Sequence, residues 1–165
     1  MARFSATFDL TVTGLALVAG VILGAVAVAI PIDVALRACC SRAVYGLGDL
    51  TEHGIAAATF LGAPWVLRKN AHVAIDIATV VLSDQARRRL AIGVDLLGAA
   101  ISALYFWYTL QALWIAVGRG SMVRGIIVIP EWLTFVAPVM CGALLTVGFV
   151  LRLGDRSQPR DTPGL

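Results

Sequence analysis

Ionisable residues are absent from three long stretches of the chain, residues 10–32, 96–118 and 132–151, of 23, 23 and 20 residues. At a rise of about 1.5 Å per residue, each stretch as a helix crosses about 30 Å of hydrocarbon. A fourth stretch, 54–67, has 14 residues; extended back to about Ala43 it reaches membrane length but takes in Asp49, Glu52 and His53 near one end. The pattern predicts an all-α membrane protein with four transmembrane helices, at about 9–31, 44–67, 90–117 and 128–151. Between the second and third, His72, Asp76, Thr79 and Ser83 recur at intervals of four, three and four. That is one polar stripe on a helix whose remaining surface carries Val73, Ile75, Ile77 and Val80. A short interfacial amphipathic helix is expected there, at about 71–82. Ser83 and Asp84 then read as the N-cap and first turn of the next helix. A membrane domain of residues 1–153 is followed by a polar, Pro- and Gly-containing tail, 154–165, expected to be disordered.

Composition agrees with membrane residence. The chain of 165 residues is 59 % hydrophobic before its 16 glycines are counted, against roughly 45–50 % for soluble domains with glycine included. Charged residues make up 14 %, where a soluble domain carries roughly 25 %. The net charge of +3 does not indicate nucleic acid, because most basic residues flank the long apolar runs. Four spans place both termini and the second loop on one side. That side holds Arg3, Arg68, Lys69, Arg87, Arg88, Arg89, Arg152, Arg156 and Arg160, nine in all; the other holds Arg37, Arg42, Arg119 and Arg124. The asymmetry puts both termini in the cytoplasm. Small-residue sites at 25–29 resemble signal-peptide cleavage sites, but the apolar run before them is too long, so an uncleaved first helix is expected. Cys39, Cys40 and Cys141 show no metal-ligand spacing and read as small packing residues.

Few residues suggest chemistry. Asp49, Glu52 and His53 share one helix face, either as a polar path or partner contact or as an interfacial cluster ending the helix. Asp95 lies about one turn inside the third helix, with Arg88 and the Arg68–Lys69 pair as candidate counter-charges. His53 and His72 fall at opposite membrane faces and cannot share one haem iron. No Ser-His-Asp set, phosphate loop or pair of catalytic carboxylates is present, so an enzyme is not expected. Gly20-x-x-x-Gly24 permits close helix approach, and Pro64 and Pro138 each remove a helix hydrogen bond. No cofactor or metal site is expected in this chain.

The stretch Leu61 to Asp76 reads Leu-Gly-Ala-Pro-Trp-Val-Leu-Arg-Lys-Asn-Ala-His-Val-Ala-Ile-Asp. It resembles the signature of the small, Q-type membrane subunit of tripartite ATP-independent periplasmic (TRAP) transporters: a Gly in the second helix, a Leu-Arg-basic turn, then His-x-x-x-Asp. Gly62, Leu67, Arg68, His72 and Asp76 fill those positions. Gly120, Ile129-Pro130, Trp132 and Pro138 resemble the family's approach to its fourth helix. The likeness covers roughly residues 10–152. Two positions depart from it: the usual Trp-x-Glu-Glu falls at Gly46, Leu47, Gly48 and Asp49, and the Gly after the basic pair is Asn70.

The resemblance implies a scaffold subunit of the bacterial inner membrane. Its partners are a large multi-span subunit holding the sodium and substrate sites, and a periplasmic binding protein that delivers an organic anion such as a dicarboxylate. Gly62, Arg68, Lys69, His72 and Asp76 would then hold the cytoplasmic turn or meet lipid headgroups. Asp49, Glu52, Arg119, Arg124, Pro130 and Trp132 are the candidate contacts with the partner or binding protein. The competing readings are the membrane anchor of a redox enzyme and the small subunit of a tripartite tricarboxylate transporter.

Overall fold

A computed structural model describes residues 2–70 and 84–157. Among these there are four helices: α1 (Ala2–Cys40), α2 (Leu47–Asn70), α3 (Asp84–Arg119) and α4 (Glu131–Ser157). Two short antiparallel strands, β1 (Met122–Val123) and β2 (Ile129–Pro130), form a hairpin between α3 and α4, with Met122 opposite Pro130 and Val123 opposite Ile129. Among the described residues α1, α3 and α4 are long and apolar enough to cross a membrane. α2 carries Asp49, Glu52 and His53 in its first half and is not among them.

The principal contacts run in a row: α1 on α2, α2 on α4, and α4 on α3. A row of helices has two broad outer sides, so little apolar surface is covered by the chain itself. Only 6 % of the most apolar part of α1 and 17 % of those of α3 and α4 are buried.

Each end helix meets its neighbour along a single seam. On α1 the covered positions are Phe8, Val12, Leu15, Ala19, Ile22, Val26, Ala29 and Asp33, at alternating steps of four and three. On α3 the seam runs through Ala91, Asp95, Gly98, Ser102, Tyr105, Thr109, Ala112 and Ala116 at the same steps, with Ala99, Phe106, Leu110 and Leu113 half-buried beside it. This 3.5-residue period keeps one stripe facing a partner helix along the full contact. The α3 seam is mostly small or polar, the composition that lets membrane helices approach closely and hydrogen-bond across the interface. Backbone meets backbone at Gly142 of α4, where an added Cβ would sit 2.9 Å from the Cα of Phe106. Gly20 and Gly24, the spacing that stood out in the sequence, lie instead on the exposed side of α1, where an added Cβ would meet no other element within 4 Å among the described residues.

Several helix ends differ from the hydropathy boundaries. α1 continues past residue 31, through an exposed Pro31, to Cys40, because its seam extends to the buried Asp33. Residues 128–130 do not open the fourth helix: Ile129 and Pro130 pair with β1, and the helix starts at Glu131. At its other end α4 runs on to Ser157, into the segment expected to be a disordered tail. Pro64 and Pro138 both lie buried inside continuous helices. Of the cysteines only Cys141 packs in the interior; Cys39 and Cys40 are exposed at the end of α1. The interfacial helix expected at 71–82 lies outside the described residues.

Candidate functional site

The polar side chains gather at the two ends of the helices. At the end bearing both described connections, Asp33 is 5 % exposed and closes the turn from α1 to α2. Its carboxylate accepts the backbone N–H of Val44 at 2.7 Å and lies 2.6 Å from Arg37, one turn further along α1. Gly46 then adopts φ 72°, a left-handed conformation that glycine reaches without strain, and lies under the Ile127 side chain.

α2 is clasped there to the hairpin. Asp49 accepts the Ile127 N–H at 2.9 Å, and the Tyr45 hydroxyl donates to the Ile126 carbonyl at 3.1 Å. His53 donates through Nδ1 to the Asp49 carbonyl at 2.8 Å; a carbonyl only accepts, so the proton is on Nδ1. The hairpin neck is held by the Ser121 hydroxyl on the Glu131 carboxylate and by the Glu131 N–H on the Ser121 carbonyl at 3.0 Å. Asp49 and Pro130 are thus engaged within the chain. Glu52, Arg119, Arg124 and Trp132 are exposed.

Replacing Asp49 with alanine leaves the Ile127 N–H without its acceptor. Hydrogen exchange at that amide is expected to accelerate about tenfold, the effect of losing a bond of roughly 1.5 kcal/mol to a charged acceptor. An unchanged rate would mean that the clasp does not hold the hairpin.

At the opposite end Arg68 of α2 pairs with Asp9 of α1, its guanidinium 5.7 Å from the Phe8 ring centre. Lys69 lies 5.9 Å from the Trp65 ring centre. Arg68 therefore faces α1 rather than Asp95. The counter-charge of Asp95, which is 0 % exposed, is Arg152 of α4 at 3.2 Å, with its guanidinium 5.8 Å from the Phe149 ring centre. Further along the same seam the Ser102 and Thr146 hydroxyls are 3.2 Å apart. Gly62 faces Ala19 of α1, where an added Cβ would sit 3.9 Å from the Ala19 Cβ, an ordinary contact. His72 and Asp76 lie outside the described residues.

The sequence reading missed Asp33, Tyr45 and Arg152. A signal for one pairing was present, since Asp33 stands four residues before Arg37; the recurrence of Asp95, Ser102 and Thr109 at intervals of seven marks the α3 seam but not its partner. An apolar cavity of about 260 Å³ separates parts of α2 and α4, lined among others by His53, Phe60, Leu133, Thr134 and Ala137. Among the described residues no three His, Cys, Asp or Glu side chains are grouped to hold a metal.

Three long apolar helices, with ion pairs Asp33–Arg37, Asp9–Arg68 and Asp95–Arg152 among the described residues, define a multi-span helical membrane protein. The family model of tripartite ATP-independent periplasmic transporters, DctQ component, matches residues 26–158, and the chain belongs to that family. The match takes in the last part of α1, the hairpin and all of α2, α3 and α4. It is the small subunit of a TRAP transporter, a family of transporter components that work with a large subunit and a periplasmic binding protein. No curated relative and no solved structure matches the chain.

Proposed function

We propose that this chain is the stationary scaffold of a sodium-coupled importer of organic anions, too polar in α2 to stand alone in lipid and built to enlarge the fixed part of its large partner. 

Substrate and sodium sites belong on this reading to the large subunit, and a periplasmic binding protein supplies a carboxylate-bearing anion. The observation that carries it is the continuity of the described helices: all four run unbroken, whereas a self-sufficient secondary transporter binds substrate at interrupted helices near the midplane. The three ion pairs support the same reading, because they tie the charges of this chain to one another within and between its helices.

α2 is the fourth span on this reading. Its 24 residues reach about 36 Å, and it runs between the same two ends as its neighbours. The nine-to-four distribution of basic residues supports an inner-membrane topology with both termini in the cytoplasm. The hairpin then faces the periplasm, where Arg119, Arg124 and Trp132 are available to the binding protein. On this reading Arg68 and Lys69 end α2 on the cytoplasmic side.

Reconstitution tests the proposal. Proteoliposomes holding this chain alone are expected to take up no organic anion under an inward sodium gradient. Adding the large subunit and the loaded binding protein is expected to start uptake. Sodium-driven uptake by the chain alone would overturn the scaffold reading.

A further inference from the structure

We infer that the outward face of α2 formed by Gly48, Glu52, Ile55, Thr59 and Val66 is where a membrane helix of the large subunit packs, with a cationic side chain opposite Glu52. The inference rests on the scaffold reading and adds to it which surface of the row is the interface.

α2 has three sides. Gly54 and Gly62 face Ile22, Val26 and Ala19 of α1. Leu67 reaches Gly148 of α4, and His53 and Phe60 line the cavity shared with Leu133 and Ala137. The remaining side repeats at steps of four and three through Gly48, Glu52, Ile55 and Thr59, and all four are exposed, as is Val66.

The outer surfaces of the end helices differ in kind. α1 presents Leu10, Leu17, Val21 and Val28 along with Gly20 and Gly24, and α3 presents Leu97, Ile101, Leu104 and Trp114. Residues 10–32 and 96–118 of these helices carry no charged side chain, and such surfaces suit lipid. The α2 side instead carries a carboxylate that makes no hydrogen bond or ion pair among the described residues. Glu52 stands more than one turn inside the helix, where ionisable groups in membrane segments face protein partners or water rather than lipid tails. α2 is also the helix of the four that lacks the hydropathy to cross a membrane. A carboxylate in a helix contact calls for a cation or strong donor.

Photocrosslinking in the assembled transporter tests this. A benzophenone amino acid placed at Ile55 is expected to join this chain to the large subunit at least about tenfold more efficiently than one at Leu17 or Ile101. Glu52→Gln is expected to lower retention of the large subunit in detergent about tenfold, the scale of one charge-assisted hydrogen bond, while Glu52→Asp retains it. Crosslinks from Leu17 or Ile101 but not Ile55 in an intact complex overturn the inference and leave the scaffold reading in place. So do adducts from Ile55 to lipid or to a second copy of this chain. Failure of any membrane subunit to co-purify with the unsubstituted chain overturns the scaffold reading and the inference together.

Discussion

Replacing Asp95 with alanine is expected to destabilise the α3–α4 pair by about 3–5 kcal/mol, the scale of breaking a buried ion pair by removing one of its charges. Asp95 is 0 % exposed, and the Arg152 side chain only 14 %. With the carboxylate gone, the guanidinium is held against Phe149 in a place water scarcely reaches. Arg152→Ala takes from the buried carboxylate the cation 3.2 Å away, and a loss of stability is expected there too. Exchanging both residues for leucine removes both charges and is expected to recover much of the stability, because the two desolvation costs disappear with the attraction. Thermal denaturation of the purified chain in detergent measures all three variants. Equal midpoints for the single variants and the unsubstituted chain would show that this pair does not hold the seam.

The second large effect is expected at Gly142. A Cβ there meets the backbone of Phe106, at 2.9 Å from its Cα and 3.1 Å from its N, so no side-chain rotation relieves the contact. α3 and α4 must separate instead, and separation loosens the Asp95–Arg152 pair and the Ser102–Thr146 contact on the same seam. Gly142→Val is expected to cost about 1–3 kcal/mol, as overpacking of a close interface does. Gly20→Ala and Gly24→Ala are the controls: both face open space in this chain, and no loss of its stability is expected. The same denaturation experiment decides it, and a Gly142→Val chain as stable as the controls would contradict the close approach of α3 and α4.

The contrast between these glycines shows how much of the architecture was legible beforehand. Gly20-x-x-x-Gly24 is a spacing seen in a single helix, whereas the need for Gly142 arises from Phe106, 36 residues earlier on another helix. Asp95 was conspicuous as an acid in an apolar run. Its partner was not, because Arg68, Arg88 and Arg152 are equally basic and their distances from Asp95 depend on which helices are neighbours. Once α3 packs on α4 and α1 on α2, Arg152 falls to Asp95 and Arg68 to Asp9. Asp49 shows the same dependence: its place at the start of a helix was evident, its bond to Ile127 across 78 residues was not.

Residue order alone carries the membrane class, the three most apolar helices and the motif Arg68-x-x-x-His72-x-x-x-Asp76, since hydropathy, charge and spacing are properties of short segments. The neighbours of each helix, the clasp between α2 and the hairpin, and the face of α2 left open are set by packing between distant segments. A seam of small residues fits more than one neighbour in the abstract; the row α1, α2, α4, α3 is the arrangement in which the buried charges and close glycines find their partners together.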